Sequence, residues 1–233
     1  MNILQEKNNR VFISGEIIND AEFSHEVYGE GFYEMNVLVK RLSGQGDILP
    51  VTISERLISD GALKVGSVIN AVGQFRSYNK LVDGKSKLML TVFVRELLED
   101  LPIKNPNSIV LTGYICKEPI YRTTPFNREI ADVLIAVNRS YNKSDYIPCI
   151  AWGRNARFAK NLAVGEKIAI CGRIQSREYQ KKIADDEVKT LTAYEVSISK
   201  LSAYENAENF DPDAEFELLS CLPSDSKESI YSD

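Results

Sequence analysis

The sequence contains a single histidine, and this scarcity excludes several kinds of site. His25 is the only histidine among 233 residues, and it lies in a polar segment. One imidazole alone makes neither a zinc site nor a nucleophile–base pair. The glycine pairs of the sequence are typical of hairpin turns rather than of a phosphate loop, and the acidic segment 185–187 is typical of a solvated turn. We therefore expect no catalytic residue, no metal and no cofactor.

Cysteines are few, and long apolar runs are lacking. Cys116, Cys149 and Cys171 each lie in a short apolar run without CxxC spacing. This pattern is typical of small core side chains in a reducing compartment, and Cys221, in a polar segment, is expected to be a free thiol. No apolar run is long enough to cross a membrane, and the first residues lack the apolar core of a secretion signal. The sequence therefore predicts a cytoplasmic protein.

An internal repeat divides the chain into two similar parts. Segments 12–17 and 110–115 are alike at an offset of 98 residues, which becomes 99 toward the end of each copy. Each copy is long enough to bury its own core. The repeat therefore predicts a domain over 1–100, a stiff proline-containing linker over 101–107 and a second domain over 108–203.

The charge is distributed unevenly along the chain. The formal net charge of −5 is the sum of −2 over residues 1–107, +5 over 108–203 and −8 over 204–233. From residue 204 onward periodicity stops, and Asp, Glu, Ser and Pro dominate, which predicts a disordered acidic tail. The second domain is therefore basic, although the whole chain is acidic.

Each copy has the pattern of a small β-barrel. Short segments rich in Val, Ile, Tyr and Thr alternate with turn residues, and one helical stretch, 154–163, lies between the third and fourth strands; 55–63 occupies the same place in copy one. That order is typical of an OB-fold, whereas a ferredoxin-like domain would need a second helix. We expect an all-β protein with two tandem OB-fold barrels of five strands each. The predicted strands of copy two are 109–117, 129–138, 144–152, 166–175 and 190–200.

The third strand of copy two combines a core face with an aromatic face. Because side chains alternate along a strand, Ile147, Cys149 and Ala151 are predicted to point into the core. The opposite face, directed outward on a small barrel, carries Tyr146, Pro148, Ile150 and Trp152. Aromatic side chains flanked by arginine and lysine suit the stacking of unpaired bases. Burial of Trp152 in the core is the alternative.

These residues resemble the bacterial single-stranded DNA-binding protein family. The resemblance covers 107–203 and is carried by Asn138-Arg139-Ser140-Tyr141, by segment 145–154 and by segment 172–179. It implies that aromatic side chains on the second and third strands and after the fourth strand stack on bases. Three of them are Tyr here, where the family more often has Trp or Phe. The stacking residues implied for this chain are Tyr141, Tyr146, Trp152 and Tyr179.

Basic side chains around these aromatics are expected to contact phosphates. For the basic residues of 173–182, an ordinary solvated strand edge is the alternative. The expected phosphate contacts are Arg122, Arg128, Arg139, Lys143, Arg154, Arg173, Arg177 and Lys181.

The repeat allows the two copies to be compared position by position. Copy one keeps the scaffold glycines but has none of the four stacking residues; it has Ser43, Ile48, Ser54 and Lys80 in their places. Segment 28–33 of copy one could stack a base, although Glu26 and Glu30 would repel a phosphate. We hypothesise that copy two binds the strand and that copy one is mainly architectural, making oligomer or partner contacts.

The acidic tail carries a few apolar residues that are candidates for partner binding. The resembling family recruits replication and repair proteins through an acidic tail with an apolar tip, and this chain ends with a different sequence. A purely solubilising tail is the alternative. The candidate partner-binding residues are Phe216, Leu218, Leu219, Ile230 and Tyr231.

The resemblance implies a non-enzymatic protein that coats and protects single-stranded DNA in replication, recombination and repair. It implies a cytoplasmic, nucleoid-associated protein that forms a homodimer with four OB folds, since family members with one such domain form tetramers. Two alternatives stay open. One is a primosome-like accessory protein whose OB folds mainly bind proteins, and the other is an RNA-binding protein, because stacking tolerates either backbone.

Overall fold

The computed structural model describes residues 8–41, 43–58, 63–82, 84–99, 105–184, 187–203 and 214–216. These residues are mostly β-structure. In the first half the strands are β1 (Asn9–Ile17), β2 (Glu22–Val27), β3 (Glu30–Lys40), β4 (Gly46–Ser54), β5 (Val68–Val82) and β6 (Lys85–Leu98). In the second half they are β7 (Asn107–Ile115), β8 (Ile120–Thr123), β9 (Glu129–Asn138), β10 (Ser144–Trp152), β11 (Lys167–Ala184) and β12 (Glu187–Ala203). One helix, α1 (Arg154–Ala159), lies between β10 and β11.

Five strands of each half close into a ring. In the first half β1 pairs with both β3 and β5, β5 pairs with β6, and β6 pairs in parallel with β4, which returns to β3. The second half repeats this order with β7, β11, β12, β10 and β9. Closure at β1 and β3 involves only Glu16 and Ile17, and closure at β7 and β9 only Tyr114 and Ile115, so the first part of β1 and of β7 keeps an edge that can pair with another strand.

The register of the two rings repeats the offset seen in the sequence. Leu38 pairs with Ile48 in the first half, and Ala136 pairs with Tyr146 in the second, both 98 residues further along. Because equivalent pairs keep the same register, equivalent residues point to the same side of each ring. Residues of the two halves can therefore be compared as structural equivalents.

Several predicted boundaries are wrong. A short strand, β8, forms a hairpin with β9 that was not predicted, and β2 does the same in the first half. The helix between β10 and β11 is shorter than 154–163, and a 3-10 turn over Glu55–Leu57 stands in the corresponding place of the first half. The strands β11 and β12 extend well past their predicted ends, because the basic and polar residues there pair with each other across an exposed hairpin.

A bulge bends each ring at an equivalent glycine. The register of β5 against β6 shifts between Val72 and Gly73, and that of β11 against β12 shifts between Cys171 and Gly172. A Cβ atom at Gly73 would lie against the carbonyl oxygen of Phe93, and one at Gly172 against that of Ser197. The glycine pair kept by the repeat therefore serves close strand packing.

The two rings are joined edge to edge by β1 and β7. These strands pair antiparallel from Asn9–Leu111 to Ile13–Asn107, so that a continuous sheet crosses from one ring to the other. Beyond Val11, where the backbone pairing of β1 with β5 ends, the Asn9 side-chain amide donates to the Phe75 carbonyl and accepts from the Phe75 N–H, at 2.8 Å each. Asn107 does the same for Ile174. The two asparagine side chains thus make the hydrogen bonds that the backbone no longer makes between β1 and β5 and between β7 and β11.

Three residues of the acidic tail, 214–216, lie within the described part of the chain. Residues 214–216 are helical, and Phe216 is completely buried against the outer surface of the sheet. The expectation of disorder throughout 204–233 is therefore wrong for these three residues, because the sheet offers Phe216 an apolar surface. The rest of the tail, and linker residues 101–104, lie outside the described residues.

Candidate nucleic-acid interface

Strand β10 presents two aromatic side chains on its outward face. Tyr146 is 48% exposed and Trp152 is 38% exposed, whereas Ile147, Cys149 and Ala151 are buried. The predicted alternation is therefore confirmed for these five residues. Tyr146 and Trp152 are six residue steps apart along the extended strand, a distance of roughly 20 Å, which leaves room for further bases between the two aromatic side chains.

The surface between Tyr146 and Trp152 is less exposed than predicted. Ile150 faces the same way as both aromatics but is only 6% exposed. It lies beside Asp132 of β9 and Ser197 of β12, which flank it in the sheet. The prediction that Ile150 belongs to an open face is therefore wrong, because β10 is paired on both sides at this position, whereas at Tyr146 and Trp152 it is paired with β9 alone.

The hairpin of β11 and β12 adds an arginine–tyrosine pair to the same sheet surface. The Arg177 guanidinium lies 5.9 Å from the centre of the Tyr179 ring, which is within the range of a weak cation–π contact. Both side chains are exposed, and Arg177 also lies 3.8 Å from the carboxylate of Glu195. A base stacked on Tyr179 would have a guanidinium close to its phosphate.

Tyr141 stands on the turn between β9 and β10. Its ring is almost fully exposed, and both Tyr141 and Asn142 have positive φ angles, of 61° and 55°. The Arg139 N–H donates to the Lys143 carbonyl across this turn at 2.7 Å. Two consecutive left-handed residues form the turn that matches the twist of a hairpin, and a tyrosine there costs more than a glycine. The turn holds the ring away from the barrel.

An exposed aromatic that the sequence analysis missed lies at the tip of the β8–β9 hairpin. Phe126 is largely exposed and precedes Asn127, whose φ is 56°. Its equivalent in the first half is Tyr28, which is also exposed at a hairpin tip. The turn sequence Pro125-Phe126-Asn127 was the available signal, and it was missed because strand β8 was not recognised.

Four of the predicted phosphate contacts have carboxylate partners within the protein: Arg177, already described beside Glu195, and Arg122, Arg139 and Arg173. Arg122 makes two hydrogen bonds to Asp132, at 3.0 and 3.2 Å, and this contact raises the pKa of Arg122. Arg139 lies 3.2 Å from the buried carboxylate of Asp145. Arg173 lies 3.5 Å from the buried Asp47 of the first ring. These arginines hold the structure together as well as adding positive charge.

The remaining predicted contacts are placed differently. Arg128 and Lys143 are exposed on the two hairpin turns beside Phe126 and Tyr141, and Arg154 is exposed at the start of α1, two residues after Trp152. The backbone of Lys181 lies in β11, and its side chain is outside the described residues.

The first ring supports the backbone of Tyr146. The Tyr146 N–H donates to the Ser77 hydroxyl at 2.8 Å, and the Ser77 N–H donates to the Asp145 carboxylate at 2.6 Å. Burial raises the pKa of Asp145, and the Ser77 N–H and the charge of Arg139 oppose that shift. Residues of β5 therefore fix the start of β10, next to the exposed Tyr146 side chain.

An equivalent contact joins an aspartate of the first ring to a serine of the second. Asp47 of β4 is fully buried, accepts the Ser176 N–H at 2.9 Å and binds the Arg41 guanidinium through two bonds of 2.6 Å. Asp47 and Asp145 are equivalent by the 98-residue offset, and Ser77 and Ser176 by 99. In each ring, therefore, a buried aspartate accepts a hydrogen bond from a serine N–H of the other ring.

The first ring has its own concave surface, built from different residues. A cavity of about 460 Å³ is lined by Arg76, Tyr78 and Phe93 and by Arg139 of the second ring. The Arg76 guanidinium lies 3.8 Å from the centre of the Phe93 ring and donates to Gln74. Burial, together with the charges of Arg139 and Arg95, lowers the pKa of Arg76 to about 10. This stacked pair follows from tertiary packing, and comparison of the copies did not predict it.

The described residues contain no group of three or more His, Cys, Asp or Glu side chains that could hold a metal ion. No helix within that part of the chain is long and apolar enough to span a membrane.

Paired β-barrels with exposed aromatic and basic side chains on a sheet face have the features of small β-barrel nucleic-acid-binding proteins. The model of the single-strand binding protein family matches residues 106–203. A single-stranded DNA-binding protein of Clostridium tetani is 32% identical over 123 residues, which cover 46% of this chain and 83% of that protein. The chain therefore belongs to the single-strand binding protein family.

Other relatives match a shorter part of the chain. Single-stranded DNA-binding protein 1 of Staphylococcus aureus is 36% identical over 83 residues, which are 33% of this chain and 50% of that protein. The chain thus spans about half the length of that curated relative. The wild-type single-stranded DNA binding protein of Thermus aquaticus has a similar fold, with a TM-score of 0.63 at 20% identity, over 87% of this chain and 96% of the other. This likeness extends the shared fold to both halves.

Proposed function

We propose that the chain binds single-stranded DNA without sequence preference, and that it coats and protects the strand in replication, recombination and repair without catalysis. The observation that carries this proposal is the pair of half-exposed aromatic side chains, Tyr146 and Trp152, on one face of β10. Stacking of a base on an aromatic ring contributes about 1–3 kcal/mol and tolerates every base. Membership of the family supports the same activity.

The proposed division of labour assigns the strand to the second domain. Each ring is taken as an OB-fold, over 1–100 and 108–203, with the domains joined through 101–107. The bases stack on Tyr141, Tyr146, Trp152 and Tyr179, with Phe126 as an additional candidate at the rim. The exposed Arg128, Lys143 and Arg154 contact phosphates, and Arg122, Arg139, Arg173, Arg177 and Lys181 add to the positive potential.

The first domain is proposed to be mainly architectural. Its contact to the Tyr146 backbone supports this role, because the domain orders the start of the stacking strand. A homodimer with four OB folds, protein partners for the acidic tail and a cytoplasmic, nucleoid-associated location complete the proposal. These parts rest on the likeness to the family.

A competition assay with a fluorescently labelled oligo(dT) tests the activity. We expect unlabelled oligo(dT) to displace the label at far lower concentration than duplex DNA of the same length, because duplex bases are already stacked and cannot reach an aromatic ring. Equal displacement by oligo(U) would favour an RNA-binding protein. No binding to any strand, from folded protein at low salt, would favour a role in binding proteins.

A further inference from the structure

The central sheet carries an apolar surface that lies outside both barrels. Phe12 of β1, Val110 of β7 and Cys171 of β11 are buried together, apart from the main core, with Val72 and Leu98 packed at their margin. We call Phe12, Val110 and Cys171 the seam patch. Because β1 and β7 pair with each other, the seam patch spans the junction of the two rings. An apolar surface in this place needs a cover to be kept from water.

The cover is supplied by the acidic tail. Phe216 is completely buried on the seam patch, and the Arg10 guanidinium lies 4.2 Å from the centre of its ring. The ring is thus held between an apolar floor and a cation, which is a favourable setting for an aromatic side chain. A phenylalanine in a solubilising tail would have no reason to be buried in this way.

The neighbouring residue adds polar contacts. The Glu215 carboxylate binds the Lys200 ammonium, and its other oxygen lies 3.9 Å from the Cys171 sulfur. Lys200 is the pairing partner of Cys171 in the sheet, so Glu215 and Phe216 bind adjacent points of one surface. The basic side chains Arg10 and Lys200 complement a segment whose net charge is −8.

The tail can reach this surface within its own chain. Strand β12 ends at Ala203, which pairs with Ile168, three residues before Cys171 along β11. Ten residues separate Ala203 from Ala214, and the eleven Cα-to-Cα steps between them span roughly 35–40 Å when the chain is extended. The connection is therefore long enough for docking on the same molecule.

We propose that the seam patch is a docking site for the chain's own acidic tail, with Glu215 and Phe216 as the anchor, and that the docked tail shields the junction of the two domains. The anchor contacts both rings, since Phe12 belongs to the first and Val110 and Cys171 to the second. It also fixes the point from which the last 17 residues begin. Docking of the tail does not require nucleic acid, so it can be tested independently of the proposed function.

The thiol of Cys171 reports on docking directly. Burial raises its pKa to about 12, and the charge of Glu215 adds to the shift. Removing the tail from the seam patch takes away both causes, and only the thiolate reacts with alkylating reagents. An undocked tail therefore makes Cys171 both more accessible and more reactive.

The experiment is pulsed alkylation of the full-length protein with N-ethylmaleimide at pH 8, followed by peptide mass mapping of each cysteine. In the wild type we expect Cys171 to react as slowly as the core residue Cys149. In Phe216→Ala we expect Cys171 to react roughly tenfold faster or more, because local opening then replaces a packed cover, while Cys149 stays protected. Phe210→Ala removes an aromatic side chain from the same tail and serves as the matched control.

Three results would overturn the proposal. Cys171 could stay as protected in Phe216→Ala as in the wild type, or Phe210→Ala could expose it equally. Wild-type protection that disappears on dilution would assign the cover to a second copy instead. If Phe216→Ala does not fold, Glu215→Lys tests the same contact, because it places two ammonium groups together; unchanged protection in that folded variant would also count against docking.

Discussion

Tyr146 and Trp152 have the exposure that a stacking residue needs. A fully buried aromatic side chain offers no face to a base, and a fully exposed one has no fixed orientation. The side chains of Tyr146 and Trp152 are partly exposed and lie on a paired strand. Each side chain is positioned by the backbone of β10. The backbone N–H of Tyr146 is also held by the Ser77 hydroxyl of the first barrel. We therefore expect a few pre-oriented side chains to supply most of the binding energy.

Tyr146→Ala should weaken oligo(dT) binding by about 1–3 kcal/mol, a factor of roughly 5–150 in Kd, because one stacking contact is lost. The matched control is Ile48→Ala, since Ile48 is the structural equivalent of Tyr146 in the first ring and is 43% exposed. Fluorescence anisotropy of labelled oligo(dT) measures both variants. Equal losses in the two would contradict the division of labour between the domains, and loss of folding in Tyr146→Ala would contradict its outward position.

At the scale of the element, the bulged strands β5 and β11 shape both rings. Each crosses its partner at a glycine that admits no Cβ atom, and beyond the glycine each continues into a long hairpin. The β11–β12 hairpin carries Arg177 and Tyr179, whose side chains lie close to each other. The position of this basic and aromatic pair thus depends on a bend set by Gly172.

Gly172→Ala and Gly73→Ala should each lower the free energy of unfolding by roughly 1–3 kcal/mol, because the added methyl group must displace a neighbouring strand. Urea denaturation followed by circular dichroism measures the change. Thr192→Ala, at an exposed position of β12, is the control and should change little. Glycine variants as stable as the wild type would show that the close strand approach is not required.

For the whole molecule, the two rings are coupled by equivalent polar contacts in addition to the shared sheet. Asp47 and Asp145 are both fully buried, and each accepts the N–H of a serine in the opposite ring. A buried carboxylate that pairs with an arginine and a backbone N–H is costly to truncate, because its partners are left unsatisfied. The domains are therefore expected to unfold together.

Asp145→Ala and Asp47→Ala should each reduce the free energy of unfolding by roughly 2–4 kcal/mol, since each change leaves an arginine and a backbone N–H without their carboxylate. Differential scanning calorimetry gives the stability and the number of transitions. The control is Asp20→Ala at an exposed position. Two separate transitions in the wild type would contradict the coupling of the rings.

The sequence predicted those features that depend on local pattern. The repeat, the β-rich composition and the faces of β10 follow from periodicity, and the structure bears out the exposure of Tyr146 and Trp152. Contacts between distant residues could not be read in this way: Asp47 meets Ser176 across 129 positions, and Phe216 meets Phe12 through tertiary packing. Four arginines predicted for phosphate therefore proved to have carboxylate partners within the protein.

The central claim, that the outward face of β10 stacks the bases of a single strand, is tested most directly by the fluorescence of Trp152. It is the only tryptophan in the chain, so its emission reports on that one place. Titration with oligo(dT) at low salt should quench it, and the logarithm of the affinity should fall with the logarithm of the salt concentration, by about 0.7 for each phosphate contact. Folded protein whose Trp152 emission does not change at low salt would contradict the claim.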